Sequence, residues 1–338
     1  MPRPPHDHET AHAPDVAVVD LGEPAERGRI EALMRACEKV DGHLPFGDHE
    51  LLAIQSGAVE DHVGFGVRRS DGLAGYGHLS RLGAAWFFEI AVDPDARGRG
   101  IATRILDAIV AHTAAHGGGT LSTWAYRRTE DVGGLARHAR LRPSRTLFQM
   151  RLDTLPSHAP PMPDGVALDR FRPGDDDEWL ALNARAFADL PDQGAWTARD
   201  LRARHGASWF DAGDVLTTRR SGRLIGTCWT KLDPGVRSHE GRQLGEIYVI
   251  AVDPAEAGAG LGRSLITTGL AHLRGRGAEV GMLYVDKRNE AAVAVYSSLG
   301  FRVHHEDVCL ITDVAGSGEP SPADASRRTR IRPARRNE

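Results

Sequence analysis

The later part of the chain repeats at a constant offset of 160 residues, with Val92 answering Val252, Gly98 answering Gly258, Gly100 answering Gly260 and His112 answering His272. An apolar strand, a glycine-rich turn and a helix recur without a gap, which marks a duplicated unit; two copies are too few for a solenoid, so the chain reads as tandem domains. Its 338 residues suit two domains of roughly 100–200 residues, each able to bury its own core. Between the copies, TLPSHAPPMPDG (154–165) holds four prolines and leaves no room for a helix or a central strand. The expected organisation is a disordered arm over 1–13, a domain over 14–153, the linker, a second domain over 166–314 and a disordered tail over 315–338.

On each side the same order recurs: a short strand (VAVVDL, VALDRF), a long helix, a divergent stretch, two strands (GFGVRR and LAGYGHLS; DVLTTRR and RLIGTCWTK), a further strand (WFFEIAV, EIYVIAV), the glycine turn, a helix, a strand and a final helix.

Charge excludes little but points one way. With 42 Lys+Arg against 46 Asp+Glu the net charge is −4, so wholesale nucleic-acid or membrane binding is not expected. Six arginines between Arg327 and Arg336 make a basic tail, expected as a solvated terminus, and His6, His8 and His12 sit in a polar arm with no metal expected. Cys37, Cys228 and Cys309 are odd in number and lack C-x-x-C spacing, which argues against a disulfide framework and a structural zinc site. MPRPPHDHET has no apolar signal core, and no run approaches the roughly 18 apolar residues of a membrane span. A cytoplasmic monomer acting on a small molecule is expected. Only Lys39, Lys231 and Lys287 are lysines, so a lysine near a site draws notice.

In EIYVIAVDPAEAGAGLGRSLITTGLAHL an apolar strand meets an Asp-Pro break, then Gly258, Gly260 and Gly262, then a helix with Leu261, Leu265, Ile266, Leu270 and Leu273 on one side. Free N–H groups and the positive helix end converge there, and glycine admits a phosphate close to the main chain. No G-x-x-x-x-G-K-[ST] is present, and the G-x-G-x-G spacing, 92 residues after Val166, is wrong for a dinucleotide loop, which follows the first strand of its unit. A turn that merely packs helix on sheet stays open at this point.

The first copy, VDPDARGRGIATRIL, resembles the acyl-CoA signature of the GCN5-related N-acetyltransferases (GNAT), with Arg97, Gly100 and Ala102 on the pattern; the second, AGAGLGR, has Ala257 where the Arg or Gln stands. LYVDKRNEAAVAVYSSLGF is similar to that family's ending. VDGHLPFGD, LPDQGAWT, RHGASWFD, LIGTCWTK and LGEIYVIAVDP, in tandem arrangement over about residues 15–313, resemble the mycothiol synthase branch of the family. The resemblance implies an α/β fold of tandem GNAT domains, each a mixed, mostly antiparallel sheet flanked by helices, with acetyl-CoA as acyl donor and no metal. It implies acyl-CoA contacts at Ile250, Ala251 and Val252, at Ala257, Gly258, Ala259, Gly260, Leu261, Gly262 and Arg263, and at Asn289, Glu290, Ala291, Ala292, Val293 and Ala294. By the offset, Ile90, Ala91 and Val92 with Gly98, Arg99, Gly100, Ile101, Ala102 and Thr103 would hold a second acetyl-CoA. It implies acceptor contacts at Asp48, Asp192, Lys231, Glu246 and Tyr284, in a cleft lined by both domains.

Acetyl transfer to an ammonium needs a base, donors for the oxyanion and an acid for the departing thiolate. Glu246 and Tyr296 can supply base and acid, whereas the offset puts Trp86 and Ala136 in the first copy, and neither moves a proton. The expectation is that the second domain catalyses acetylation of the cysteinyl amine of a cysteinyl-glucosaminyl-inositol conjugate. Acetylation of another small amine such as an antibiotic, and non-catalytic acyl-CoA binding, are the alternatives.

Overall fold

Strand-forming runs of Val, Ile, Tyr, Phe and Trp alternate with helices whose apolar residues recur at three- and four-residue spacing, and the chain folds accordingly. The computed structural model describes residues 15–57, 59–82, 85–126 and 133–317. The arm 1–13 with His6, His8 and His12, and the tail arginines from Arg327 on, lie outside the described residues. The first half runs β1 (Val16–Val19), α1 (Pro24–Asp41), α2 (Asp48–Ser56), β2 (His62–Arg69), β3 (Gly72–Leu82), β4 (Ala85–Val92), α3 (Ile101–Ala115), β5 (Gly118–Ala125), α4 (Gly133–His138) and β6 (Arg142–Leu152). The second runs β7 (Ala167–Arg170), α5 (Asp176–Ala186), α6 (Pro191–Gly194), α7 (Ala198–His205), β8 (Val215–Arg220), β9 (Arg223–Lys231), β10 (Leu244–Val252), α8 (Leu261–Gly275), β11 (Val280–Asp286), α9 (Glu290–Ser298) and β12 (Arg302–Ala315).

All these strands join one sheet in the order β1-β2-β3-β4-β5-β12-β6-β11-β10-β9-β8-β7. Only β4 with β5 and β10 with β11 are parallel, so the sheet is mixed and mostly antiparallel, as expected. Its continuity was not foreseen. The last strand of each half lies in the other half's side of the sheet: β12 pairs β5 from Val308↔Ala125 to Ala315↔Gly118, and β6 pairs β11 from Gly281↔Leu152 to Asp286↔Leu147. These two exchanged strands also pair with each other at the centre.

Helices cover the sheet unevenly. On one face α8 buries Leu261, Leu265, Ile266, Leu270 and Leu273, and α3 buries Ile101, Ile105, Leu106 and Ile109. Each such side chain contributes about 1.5–3 kcal/mol of apolar burial. Gly269 lets α8 sit tightly on β9, since a Cβ there would lie 2.5 Å from Cys228 Sγ. The proline-rich connector is irregular, but Leu155 is buried in the same core and its carbonyl accepts from Arg274 Nη1 at 2.8 Å. On the opposite face α1 and α2 cover the first half, while α5 and α7 cover the second. The central strands between them carry no helix on that face, and a cleft opens there. No helix among the described residues is long and apolar enough to cross a membrane.

Candidate active site

The parallel strands part company early. β10 pairs with β11 only from Leu244 to Ile247, and its pairing with β9 shifts between Ile247 and Val249, so Tyr248 bulges. Ile250–Val252 therefore present a main-chain edge with no β11 partner, able to hydrogen-bond an extended ligand. β4 is likewise paired to β5 only at Trp86 and Phe87, but it runs along β3 without a bulge. After both strands an aspartate fixes the same turn: Asp253 accepts from Ala255 N at 3.1 Å and Asp93 from Asp95 N at 3.0 Å.

The glycine turn that follows is an open cradle. Gly258 (φ +84°) and Gly260 (φ +78°) adopt left-handed backbone that favours glycine, and nothing lies within 4 Å of where their Cβ atoms would be. Gly260 caps α8 with no side-chain hydrogen bond, which leaves first-turn N–H groups of the Leu261–Arg263 segment without an intrahelical partner. This donor set fits a diphosphate. Gly100 (φ +74°) caps α3 in the same way. Two side chains differ from a simple cofactor-facing picture. Arg97 is bound within the first half, gripping Asp41 at 2.8 and 2.6 Å and donating to the Val92 carbonyl at 3.2 Å. Asn289 accepts from Ala292 N at 3.1 Å and so caps α9.

On the other side of β10 lies a cleft of ≈ 440 Å³. Its floor is made of side chains that alternate along five strands: Trp124 of β5 with Tyr126 just beyond its end, Asp307 and His305 of β12, Gln149 and Arg151 of β6, Tyr284 of β11, and Leu244 and Glu246 of β10. The segment before α2 forms one wall and the β9–β10 loop at Asp233–Arg237 the other. Asp48, Lys231, Glu246 and Tyr284 thus come together across both halves. Asp48 opens α2, yet its carboxylate reaches Lys231 Nζ at 2.5 Å instead of capping the helix. Lys231 Nζ also sits 4.6 Å from the Trp209 ring centre and 5.3 Å from that of Tyr248. Burial pushes the Lys231 ammonium down, but Asp48 and Glu246 outweigh it and hold its pKa above the ordinary value. Glu246 faces Lys231 in strand register. Burial pushes the Glu246 carboxyl up to about 7, with Lys231 pulling it back and Asp48 pushing it further.

Tyr296 does not line this cleft. It packs with Phe301, at 5.9 Å between ring centres, in the core beneath α8, where burial and the Cys228 thiol push its phenol up. Cys228 is the register partner of Ile250, so Tyr296 shares a core with β10 residues beyond the bulge while Glu246 faces the opposite side of the strand. Trp86, which the 160-residue offset sets against Glu246, faces the core under α3 instead and donates its indole N–H to the Gly118 carbonyl at 3.1 Å; because β4 lacks the bulge of β10, Phe87 holds the register position of Glu246. Asp192 lies in α6, and its side chain is outside the described residues. No group of three His, Cys, Asp or Glu side chains arranged to hold a metal occurs among the described residues.

Several residues of the site escaped the sequence reading. Trp209 and Tyr248, whose rings flank Lys231, stood inside RHGASWFD and EIYVIAV, so a signal existed for both. Gln149 and Arg151 carried none, because only the strand exchange brings β6 beside β11.

The sequence profile of the acetyltransferase (GNAT) family matches residues 30–134 and 177–301. The mycothiol acetyltransferase of Salinispora arenicola is 44% identical over 298 residues, covering 85% of this chain and 94% of that protein. That of Thermobispora bispora is 41% identical over 280 residues, covering 82% and 93%. Among solved structures, a tandem GNAT protein from the clavulanic acid biosynthesis pathway superposes with a TM-score of 0.67 at 16% identity, over 90% of this chain and 99% of that one, and supports the fold. With the repeat, the two glycine cradles and these relatives in agreement, the chain belongs to the mycothiol acetyltransferase family of tandem GNAT proteins.

Proposed function

We propose that the chain transfers the acetyl group of acetyl-CoA to the cysteinyl amine of the cysteinyl-glucosaminyl-inositol conjugate, giving mycothiol and CoA, with the second half as the catalyst. The observation that carries this reading is Glu246: a carboxyl raised to about 7 at the edge of a cleft beside the parting of β10 from β11. A base is most effective when its pKa lies near the working pH. The Leu261–Arg263 N–H groups and the glycine turn hold the diphosphate, and the Ile250–Val252 main chain aligns the pantetheine and polarises the thioester carbonyl.

Glu246 takes one proton from the substrate ammonium. The freed nitrogen attacks the carbonyl carbon, the C–N bond forms, and charge passes to the carbonyl oxygen. As the C–S bond breaks, Tyr296, which packs on the Ile250 side of β10 opposite Glu246, protonates the thiolate from that side; the second nitrogen proton returns to the phenol through solvent. Asp48, Asp192, Lys231 and Tyr284 hold the sugar and inositol hydroxyls, and the carboxylates attract the ammonium. Trp86 and Ala136 cannot perform this chemistry, so the first half contributes cleft walls, and its Ile90–Val92 and Gly98–Thr103 segments hold a second acetyl-CoA as a structural ligand.

The test is a panel of amines offered to the purified chain with acetyl-CoA, following thiol release and product mass. The expected result is fastest turnover with the conjugate, one acetyl group appearing on the cysteinyl nitrogen. Faster turnover of an aminoglycoside, or acetyl-CoA binding with no turnover of any amine, would overturn the reading.

A further inference from the structure

Gln149 is a glutamine 2% exposed on the floor of the cleft, on the strand that the first half inserts beside β11. Its strand partners are Tyr284 on one side and His305 on the other. Both ends of its amide are engaged. Oε1 accepts from Arg151 Nε at 3.0 Å, and Nε2 donates to Tyr284 Oη at 2.7 Å. The direction of this relay is set by Arg151, because a guanidinium only donates: the amide oxygen must face it, and the NH₂ must then face Tyr284. Tyr284 accepts from Gln149, so its own O–H has to point away from Gln149.

We infer that Gln149, oriented by Arg151, is a positioning residue that fixes the Tyr284 phenol as a hydrogen-bond donor to an oxygen of the acceptor, making the inserted first-half strand a specificity element of the second half's reaction. This rests on the proposed acceptor reading, and it adds a requirement to it. The group opposite Tyr284 must be an acceptor such as a hydroxyl or ether oxygen, and an analogue presenting only an N–H donor there would be rejected. The substrate class is thus narrowed to amines carrying a polyhydroxylated, oxygen-rich body rather than a second cationic one.

The experiment compares the full chain with Gln149→Leu, Tyr284→Phe and the double variant. It measures KM and kcat for the conjugate and KM for acetyl-CoA. In parallel it follows Tyr284 ionisation by NMR with ring-labelled tyrosine, Tyr284→Phe assigning the signal. The expected result for Gln149→Leu is a rise of about tenfold in acceptor KM, with kcat and acetyl-CoA KM within about threefold of the parent. Tyr284 should ionise at higher pH in this variant, because the phenolate loses a donor. The double variant should be no worse than the poorer single one. Parental acceptor KM with parental Tyr284 titration in a folded Gln149→Leu protein would overturn the inference, as would losses that add in the double variant. If the parent fails to acetylate the conjugate, the substrate reading falls, and the Tyr284 titration still decides the relay.

Discussion

Burying the Glu246 carboxyl costs stability, and the cost can be measured. Its carboxyl has an ordinary pKa of 4.5 and is pushed up to about 7 by burial. In the unfolded chain it is charged above pH 4.5, so folding takes up a proton between there and about 7. Stability from this group is full below pH 4.5, falls as pH rises through that window, and stays low above it. Glu246→Gln removes the dependence. The variant should therefore be more stable than the parent by about 2–3 kcal/mol at pH 8, with the gap closing near pH 4.5. Denaturant unfolding at the two pH values checks this, and equal stabilities at pH 8 would show that the carboxylate is not destabilised. Lys231 illustrates the reverse balance, in which two carboxylates outweigh burial and keep an ammonium charged.

At the scale of elements, most of the fold was legible. The apolar side of α8 and the strand runs were written as periodicity, and the 160-residue offset holds from Val252 and Val92 onward, but the bulge at Tyr248, which β4 lacks, shifts it by one before that point, so Phe87 rather than Trp86 occupies the register position of Glu246. Asp48, Lys231, Glu246 and Tyr284 were named before any geometry was known, though from resemblance rather than spacing. What could not be read was the destination of β6 and β12. The order read from the sequence ended each half on a helix, and a strand run records which residues face a core but not which strand it pairs with. The residues that depend on it, Gln149 and Arg151, were therefore invisible. Tyr296 was legible as a residue but not as a core tyrosine on the opposite side of β10.

The exchange has a consequence for folding. Without β12, β5 loses its antiparallel neighbour over Gly118–Ala125, and without β6, β11 loses its own over Val280's following strand residues Gly281–Asp286. Exposed edges of this length favour aggregation. Residues 1–153 and 166–338 expressed separately should fail to give monomers with cooperative unfolding, whereas co-expression should yield a 1:1 complex. Two independently folded halves by size-exclusion chromatography and calorimetry would contradict the exchange.

The whole molecule is a duplicated fold whose two halves share one sheet and line one cleft. The cleft has no owner among the halves: Asp48 and Gln149 come from the first, Lys231, Glu246 and Tyr284 from the second. In the proposed reaction acetyl-CoA approaches by the cradle at α8 and the acceptor across the sheet floor, so that the two substrates meet at β10. The most direct measurement is the pH dependence of kcat/KM for the conjugate in the parent and in Glu246→Gln, with acetyl-CoA affinity measured alongside. The account predicts a parental rate that rises through an apparent pKa near 7, and a variant that binds acetyl-CoA normally, turns over roughly 10²-fold more slowly and lacks that rise. A Glu246→Gln protein with the parent's rate and pH profile would contradict it.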